Sequence, residues 1–331
     1  MADPTEDPTR NIFDDLAQAE RNAPPELRAP LAAFGGEPPP APAWFETALA
    51  QAPERGFVAT PRGRIEVLTW GEVGRPGLLF VHGNSAHADW WSYICPFFAE
   101  HYRVTAMSLA GMGDSDWRAS YSFADFALDA EAVCQATGLY EGGRKPVYIG
   151  HSFGGGQVFY VASRHPEQLH AAIIIDVGFG SAPPGDSAGP PIRTIRLYPS
   201  VAEALARFRL APVQPVENLF ILDYIARRSL KHVPAADGAA EGWRWKFDPD
   251  MWPKQDVASR TMFFTSAPQV DVPIAHLFGE LSALRPVSIQ RAVYPSDGLE
   301  VGIPDARHHV MIDQPLALVA AIRSLLGAWR A

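Results

Sequence analysis

Apolar and polar positions change rhythm several times along this chain. Arg64–Trp70 alternates like a half-buried strand. Gly77–Val81 is a continuous apolar run that stops at His82-Gly83, and Arg103–Leu109 is another that stops at Ala110-Gly111. Helical spacing follows at Phe123–Thr137. Apolar runs then return at Pro146–Gly150 and Ala171–Ile175, and once more, much later, at Val272–Phe278. Short apolar runs bounded by turn residues fit strands, and 3.6-residue spacing over longer stretches fits helices. Their alternation predicts a mainly parallel sheet buried on both faces by helices, an α/β fold. Pro315–Trp329 is apolar at helical spacing and predicts a packed C-terminal helix.

Residues 178–270 interrupt this alternation. They are rich in Pro, Arg and aromatics and lack apolar strand runs. Helical patches lie at Val201–Leu210 and Val216–Leu230, and an aromatic cluster follows at Trp243, Trp245, Phe247 and Trp252. The expected organisation is a core of residues 43–177 and 271–331, with 178–270 inserted as a helical cap. Residues 1–42 are acidic and Pro-rich, with one short helix expected near Ile12–Ala19. They read as a solubility tail, the alternative being an arm on a neighbouring subunit of a homodimer.

Composition narrows the function classes. At 331 residues and 47% hydrophobic, the chain has apolar material for a large core, which excludes wholesale disorder. A net charge of −9 with no basic block makes nucleic acid and anionic membrane poor partners. Two cysteines, Cys95 and Cys134, form no disulfide framework and suit a reducing compartment. The first residues lack a signal-peptide pattern, and no apolar run approaches the roughly 18 residues of a membrane span. The expected location is cytoplasmic. No G-x-G-x-x-G follows a strand, so a Rossmann dehydrogenase is set aside, and no cofactor is implied.

The strongest chemical signal is Gly150-His151-Ser152-Phe153-Gly154, between an apolar strand run and a helical stretch. A G-x-S-x-G turn in that context holds its Ser at the tip of a sheet in strained backbone geometry. The bland reading is a Gly-rich turn needed only for packing. A Ser hydroxyl is a weak nucleophile and needs a base close in space. An oxyanion hole needs two convergent donors, one being the backbone N–H after the nucleophile, Phe153. The other comes from the loop at His82-Gly83-Asn84, where Asn84 is the candidate. His82 is expected to tie that loop down.

In order along residues 57–330, His82-Gly83-Asn84, Gly111-Met112-Gly113-Asp114-Ser115, Gly150–Gly154 and a late His308 resemble the α/β-hydrolase fold superfamily, in its serine esterase and lipase-like form. The resemblance implies a nucleophilic serine and a triad in the order Ser, acid, His. It implies His308 as the base, because Asp313 and Pro315 follow it at the family's spacing; His309 is the fallback. The His-His pair has no third ligand nearby, so no metal site is expected. In the loop where relatives often carry the acid, this chain has Ser282. Asp176, ending the run Ala171–Ile175, is the first candidate acid and Glu280 the alternative.

His87, Trp90 and Met112 are the candidate substrate contacts, and Met112, Phe153 and the aromatics of the cap suggest an apolar pocket. The expected reaction is hydrolysis of a carboxylic ester or lactone of a hydrophobic small molecule, through an acyl-enzyme. Carbon–carbon or amide hydrolysis by the same triad is the enzymatic alternative, and a non-catalytic binding protein is the alternative from another class. Relatives that open epoxides or remove halide carry Asp where this chain has Ser152.

Overall fold

The computed structural model describes residues 18–177, 195–235, 240–256, 259, 270–284 and 298–330. Its core is an eight-stranded sheet. Chain order gives β1 (Glu54–Thr60), β2 (Gly63–Trp70), β3 (Gly77–Val81), β4 (Arg103–Met107), β5 (Val147–His151) and β6 (Ala171–Ile175). A separate ribbon of β7 (Leu230–Val233) and β8 (Gly242–Trp245) intervenes before β9 (Ile274–Gly279) and β10 (Leu299–Ile303). The spatial order is β1-β2-β4-β3-β5-β6-β9-β10. β2 is antiparallel to β1 and β4; every other pair in the sheet is parallel.

Each expected strand is present within a few residues of its predicted ends. The alternation of side chains across the pleat explains why the inner ones read as unbroken apolar runs. On β3, Leu78 and Phe80 join one core cluster, with Leu318 and Ile322. Leu79 and Val81 join the other, with Phe126, Val133 and Val158. Helices α1 (Ala43–Ala50), α2 (Phe123–Ala136), α3 (Phe153–Arg164), α4 (Val201–Leu205), α5 (Leu219–Arg228) and α6 (Pro315–Trp329) accompany the sheet. Residues of α2 and α3 pack in the second cluster, and residues of α5 and α6 in the first.

Two strands were not legible in the apolar pattern. β1 and β10 close the sheet at its edges, where one face or both stay wet. Only Val58 of β1 and Ile303 of β10 are buried. A strand with one buried residue carries no run.

The segment between β6 and β9 departs from the all-helical expectation. Its helices shorten to α4 and α5, ending before Pro212 in the first case and starting after Pro215 in the second. Trp243 and Trp245 stand on β8, so the aromatic cluster is partly a strand. Aromatic residues favour that pleated setting.

The described part of the N-terminal extension is packed rather than free. Leu31 is buried, Arg209 pairs with Glu20 at 2.5 Å, and Arg227 donates to the Gly36 carbonyl. Phe45 of α1 meets Phe220 and Tyr224 of α5 edge-on, at 5.0 and 5.8 Å. Most of the helix expected near Ile12–Ala19 lies outside the described residues, as do residues 178–194 of the expected cap.

Candidate active site

Parallel β3, β5, β6 and β9 point their C-terminal ends the same way, so His82, Ser152, Asp176 and Glu280 all leave the sheet on one side. That is where open α/β sheets collect functional groups.

Ser152 is the single residue between β5 and α3. Its backbone sits at φ 51°, ψ −120°, a region L-residues rarely occupy. The chain tolerates it because the flanking glycines allow close approach. A Cβ on Gly154 would run into the His82 and Val81 carbonyls, and one on Gly150 into the Gly154 carbonyl. The turn is held by Ser152 N–H to the Ile175 carbonyl at 2.9 Å.

His308 approaches from the loop after β10. Its Nε2 lies 3.0 Å from Ser152 Oγ and its Nδ1 lies 2.9 Å from Asp176 Oδ1. With a carboxylate at Nδ1, the proton belongs on Nδ1, leaving Nε2 to accept the Ser152 hydroxyl proton. His308 and Asp176 are both buried, and Ser152 is partly exposed.

Asp176 directly follows β6 and also has positive φ, 47°. Its Oδ2 accepts the Gly279 N–H at 2.8 Å, and its Oδ1 accepts the Ser282 hydroxyl at 2.6 Å. Burial pushes this carboxyl up, but the His308 ring, the Ser282 hydroxyl and the Gly279 N–H outweigh it and hold it below the ordinary carboxylate value. Glu280 is exposed, with its side chain against Gly302. Of the two candidate acids, Asp176 is the one that meets the His308 ring. The residue at the expected acid position, Ser282, serves Asp176 as a donor instead.

His309, the fallback base, bonds to a different partner. Its Nδ1–H donates to Gln214 Oε1 at 2.9 Å, and Gln214 in turn donates to both oxygens of Asp313 at 3.0 Å. Asp313 also accepts the Arg307 N–H at 2.7 Å. The acidic residue five positions after His308 therefore pins the loop that carries it. Asn218, on the β6–β9 segment, adds a bond to the Ile312 carbonyl at 2.8 Å. Gln214 and Asn218 belong to no motif, so nothing in the sequence pointed to them.

The loop after β3 adjoins the nucleophile: a Cβ on Gly83 would lie 3.3 Å from Ser152 Cβ. His82 Nε2 accepts the Leu109 N–H at 2.9 Å, so Nδ1 carries the proton and donates to the Gly83 carbonyl at 2.7 Å. Asn84 is exposed at the tip of this loop, followed by Ser85 at φ 58°. Phe153 opens α3, whose N-terminus favours negative charge nearby. Its ring stacks on Phe123 at 5.2 Å.

The three candidate substrate contacts fare differently. Trp90 and Trp91 point apart: the Trp90 ring lies 5.7 Å from His309, while Trp91 packs on Phe80 at 5.2 Å. Met112 is buried and pairs with Phe247 of the β6–β9 segment through an isolated bridge. His87 is buried, and its Nε2–H donates to Ser229 Oγ at 2.8 Å, just past α5. That bond commits the ring donor to bracing the loop against the β6–β9 segment.

Burial sets the charge of the neighbouring histidines. It pushes His82 and His151 down to about 3, and His309 well below its ordinary value. These rings are neutral when folded and titrate near 6.5 when unfolded, so below pH 6.5 the unfolded state binds more protons. Stability is complete above 6.5 and falls as pH drops toward 3. Each such histidine contributes a slope of up to about 1.4 kcal/mol per pH unit. Urea midpoints measured between pH 7 and 5 are expected to fall steadily; a flat midpoint over that range would contradict the buried neutral assignment.

Among the described residues, no group of three or more His, Cys, Asp or Glu is arranged to hold a metal ion, and no helix is long and apolar enough to cross a membrane.

Comparison with known proteins agrees with this architecture. The model of the alpha/beta hydrolase family matches residues 78–322. A non-heme chloroperoxidase from Streptomyces lividans is 36% identical over 124 residues, which is 36% of this chain and 44% of that protein. A bifunctional esterase/perhydrolase from Acinetobacter calcoaceticus is 33% identical over 124 residues, 36% of this chain and 43% of that protein. The chain thus spans less than half the length of these curated relatives. Among solved structures, the thioesterase domain from the curacin biosynthetic pathway superposes with a TM-score of 0.63 at 22% identity, covering 82% of this chain and 99% of that one. The family match covers most of the sequence, and this chain belongs to the alpha/beta hydrolase family.

Proposed function

We propose that this α/β hydrolase cleaves a carboxylic ester or lactone of a hydrophobic small molecule through an acyl-enzyme on Ser152. The observation that carries the reading is the continuous relay from Ser152 Oγ to His308 and on to Asp176, at 3.0 and 2.9 Å. An esterase/perhydrolase among the relatives supports the ester class.

In this mechanism Ser152 Oγ attacks the carbonyl carbon while His308 Nε2 takes its proton. Asp176 orients the ring and stabilises the imidazolium. The tetrahedral oxyanion rests against the start of α3 and the loop after β3, on the backbone N–H groups of Phe153 and Asn84. His308 then protonates the leaving alcohol. Water, deprotonated by the same nitrogen, attacks the acyl carbonyl and frees Ser152. The β6–β9 segment acts as a cap, and Trp90 supplies apolar surface to the substrate.

Nitrophenyl esters of graded acyl length test this proposal. A burst of nitrophenol stoichiometric with enzyme, followed by slower turnover, is the expected result wherever deacylation limits the rate. Absence of turnover across the ester and lactone panel, with cleavage of amides or diketones instead, would move the activity to another bond class.

A further inference from the structure

The bond between Ser152 and His308 cannot be what positions the base, because turnover breaks it. Something else must register the late loop carrying His308 against the elbow carrying Ser152. The residue preceding the nucleophile is placed to do so.

His151 ends β5 and is 2% exposed. Its Nε2–H donates to the backbone carbonyl of His308 at 2.9 Å. Its ring packs on the His308 ring at 4.7 Å between centroids, with planes 41° apart. His309 covers another side of the same imidazole at 4.8 Å. Adjacent residues 151 and 152 therefore hold His308 at two points, one on its backbone and one on its side chain. The backbone point survives every proton transfer. On its far edge, His151 Nδ1 is buried without a hydrogen-bond partner, and a Cβ on Gly83 would lie 3.0 Å from it. The ring thus fits between the loop after β3 and the loop after β10.

We propose that His151 is a positioning residue for His308, acting through its Nε2–H on the His308 carbonyl and through ring contact, and setting the spacing between base and nucleophile. The proposal rests on the hydrolytic reading above and deepens it. A phenylalanine of similar shape would fill the space but could not hold the carbonyl. Burial also keeps the His151 ring neutral, so it does not oppose the positive charge that His308 gains during the reaction.

The test compares His151→Gln, whose amide N–H reaches about as far as Nε2, with His151→Phe, which keeps a ring and removes the donor. With a nitrophenyl ester, the Phe variant is expected to lose on the order of 10²-fold in kcat, the scale of a misplaced catalytic group. Its KM should stay within about twofold, and the Gln variant should stay within several-fold of the parent. The second readout is the downfield resonance of the His308 Nδ1 proton in ¹⁵N-histidine-labelled protein. It should persist in the Gln variant and broaden or vanish in the Phe variant. If Phe does not fold, His151→Asn, one bond too short, replaces it with the same expectation.

A folded Phe variant with unchanged kcat and an unchanged resonance would overturn the proposal. So would a Gln variant that loses as much as Phe. Should the parent enzyme turn over no ester, the hydrolytic reading fails separately, and the resonance alone decides on His151.

Discussion

Ser152→Ala is expected to lower kcat by about 10⁶-fold on any ester the enzyme accepts, the scale of removing a triad serine elsewhere. The loss is that large because the two relay partners of Ser152 are already engaged and offer no substitute nucleophile. Asp176 is occupied by His308, Ser282 and Gly279, and His308 Nε2 faces Ser152 itself. Removing one oxygen leaves the elbow standing, since Ser152 N–H to the Ile175 carbonyl and Gly156 N–H to the Ser152 carbonyl involve only backbone. The variant should therefore fold like the parent and bind substrate with similar affinity, yet show no burst. Steady-state kinetics and a thermal melt on the same preparation check both halves. A variant retaining more than about one part in 10³ of kcat would mean that water is activated without a covalent step.

Asp176→Asn is expected to lower kcat by about 10⁴-fold, while Glu280→Gln stays within about twofold. An asparagine at 176 keeps shape and volume. Its amide, however, offers a donor where His308 Nδ1 needs an acceptor, so the ring is drawn into the tautomer that cannot take the Ser152 proton. The asparagine also removes the negative charge that stabilises the imidazolium. Glu280 carries no such burden, because it is exposed at the end of β9 and meets Gly302. Parallel kinetics on the two variants give opposite results if the acid follows β6. Loss of activity in the Glu280 variant alone would place it in the loop after β9.

Much of this site was legible because its constraints are local. Gly150 to Gly154 announce a strand-to-helix turn that only small residues permit, and the strained φ of Ser152 lies within that turn. His308 was legible because Asp313, which pins its loop, lies five residues away in the same stretch. The acid was ambiguous for a physical reason. Asp176 and Ser282 share one hydrogen bond across two loops, and either loop can present a carboxylate to the same imidazole nitrogen. Only the fold shows that Ser282 donates and Asp176 accepts.

Gln214 and Asn218 were invisible, since their partners lie about a hundred residues away and a lone amide carries no pattern. The inner strands β3, β5 and β6 were plain in the apolar rhythm because both their faces are buried. Edge strands β1 and β10, each with a single buried residue, left no trace there. The ribbon of β7 and β8 was hidden for a related reason. Trp243 and Trp245 are spaced like a strand, but β7 and β8 run only four residues each, too short for an alternation to stand out.

Whether Ser152 is a nucleophile activated by His308 can be asked without knowing the substrate. Intact protein is treated with a serine-directed fluorophosphonate, digested and read by mass spectrometry. A single adduct on the peptide containing Ser152, lost in Ser152→Ala and strongly slowed in His308→Ala, is the predicted outcome. An unmodified Ser152 under conditions that label a known serine hydrolase in the same tube would contradict it.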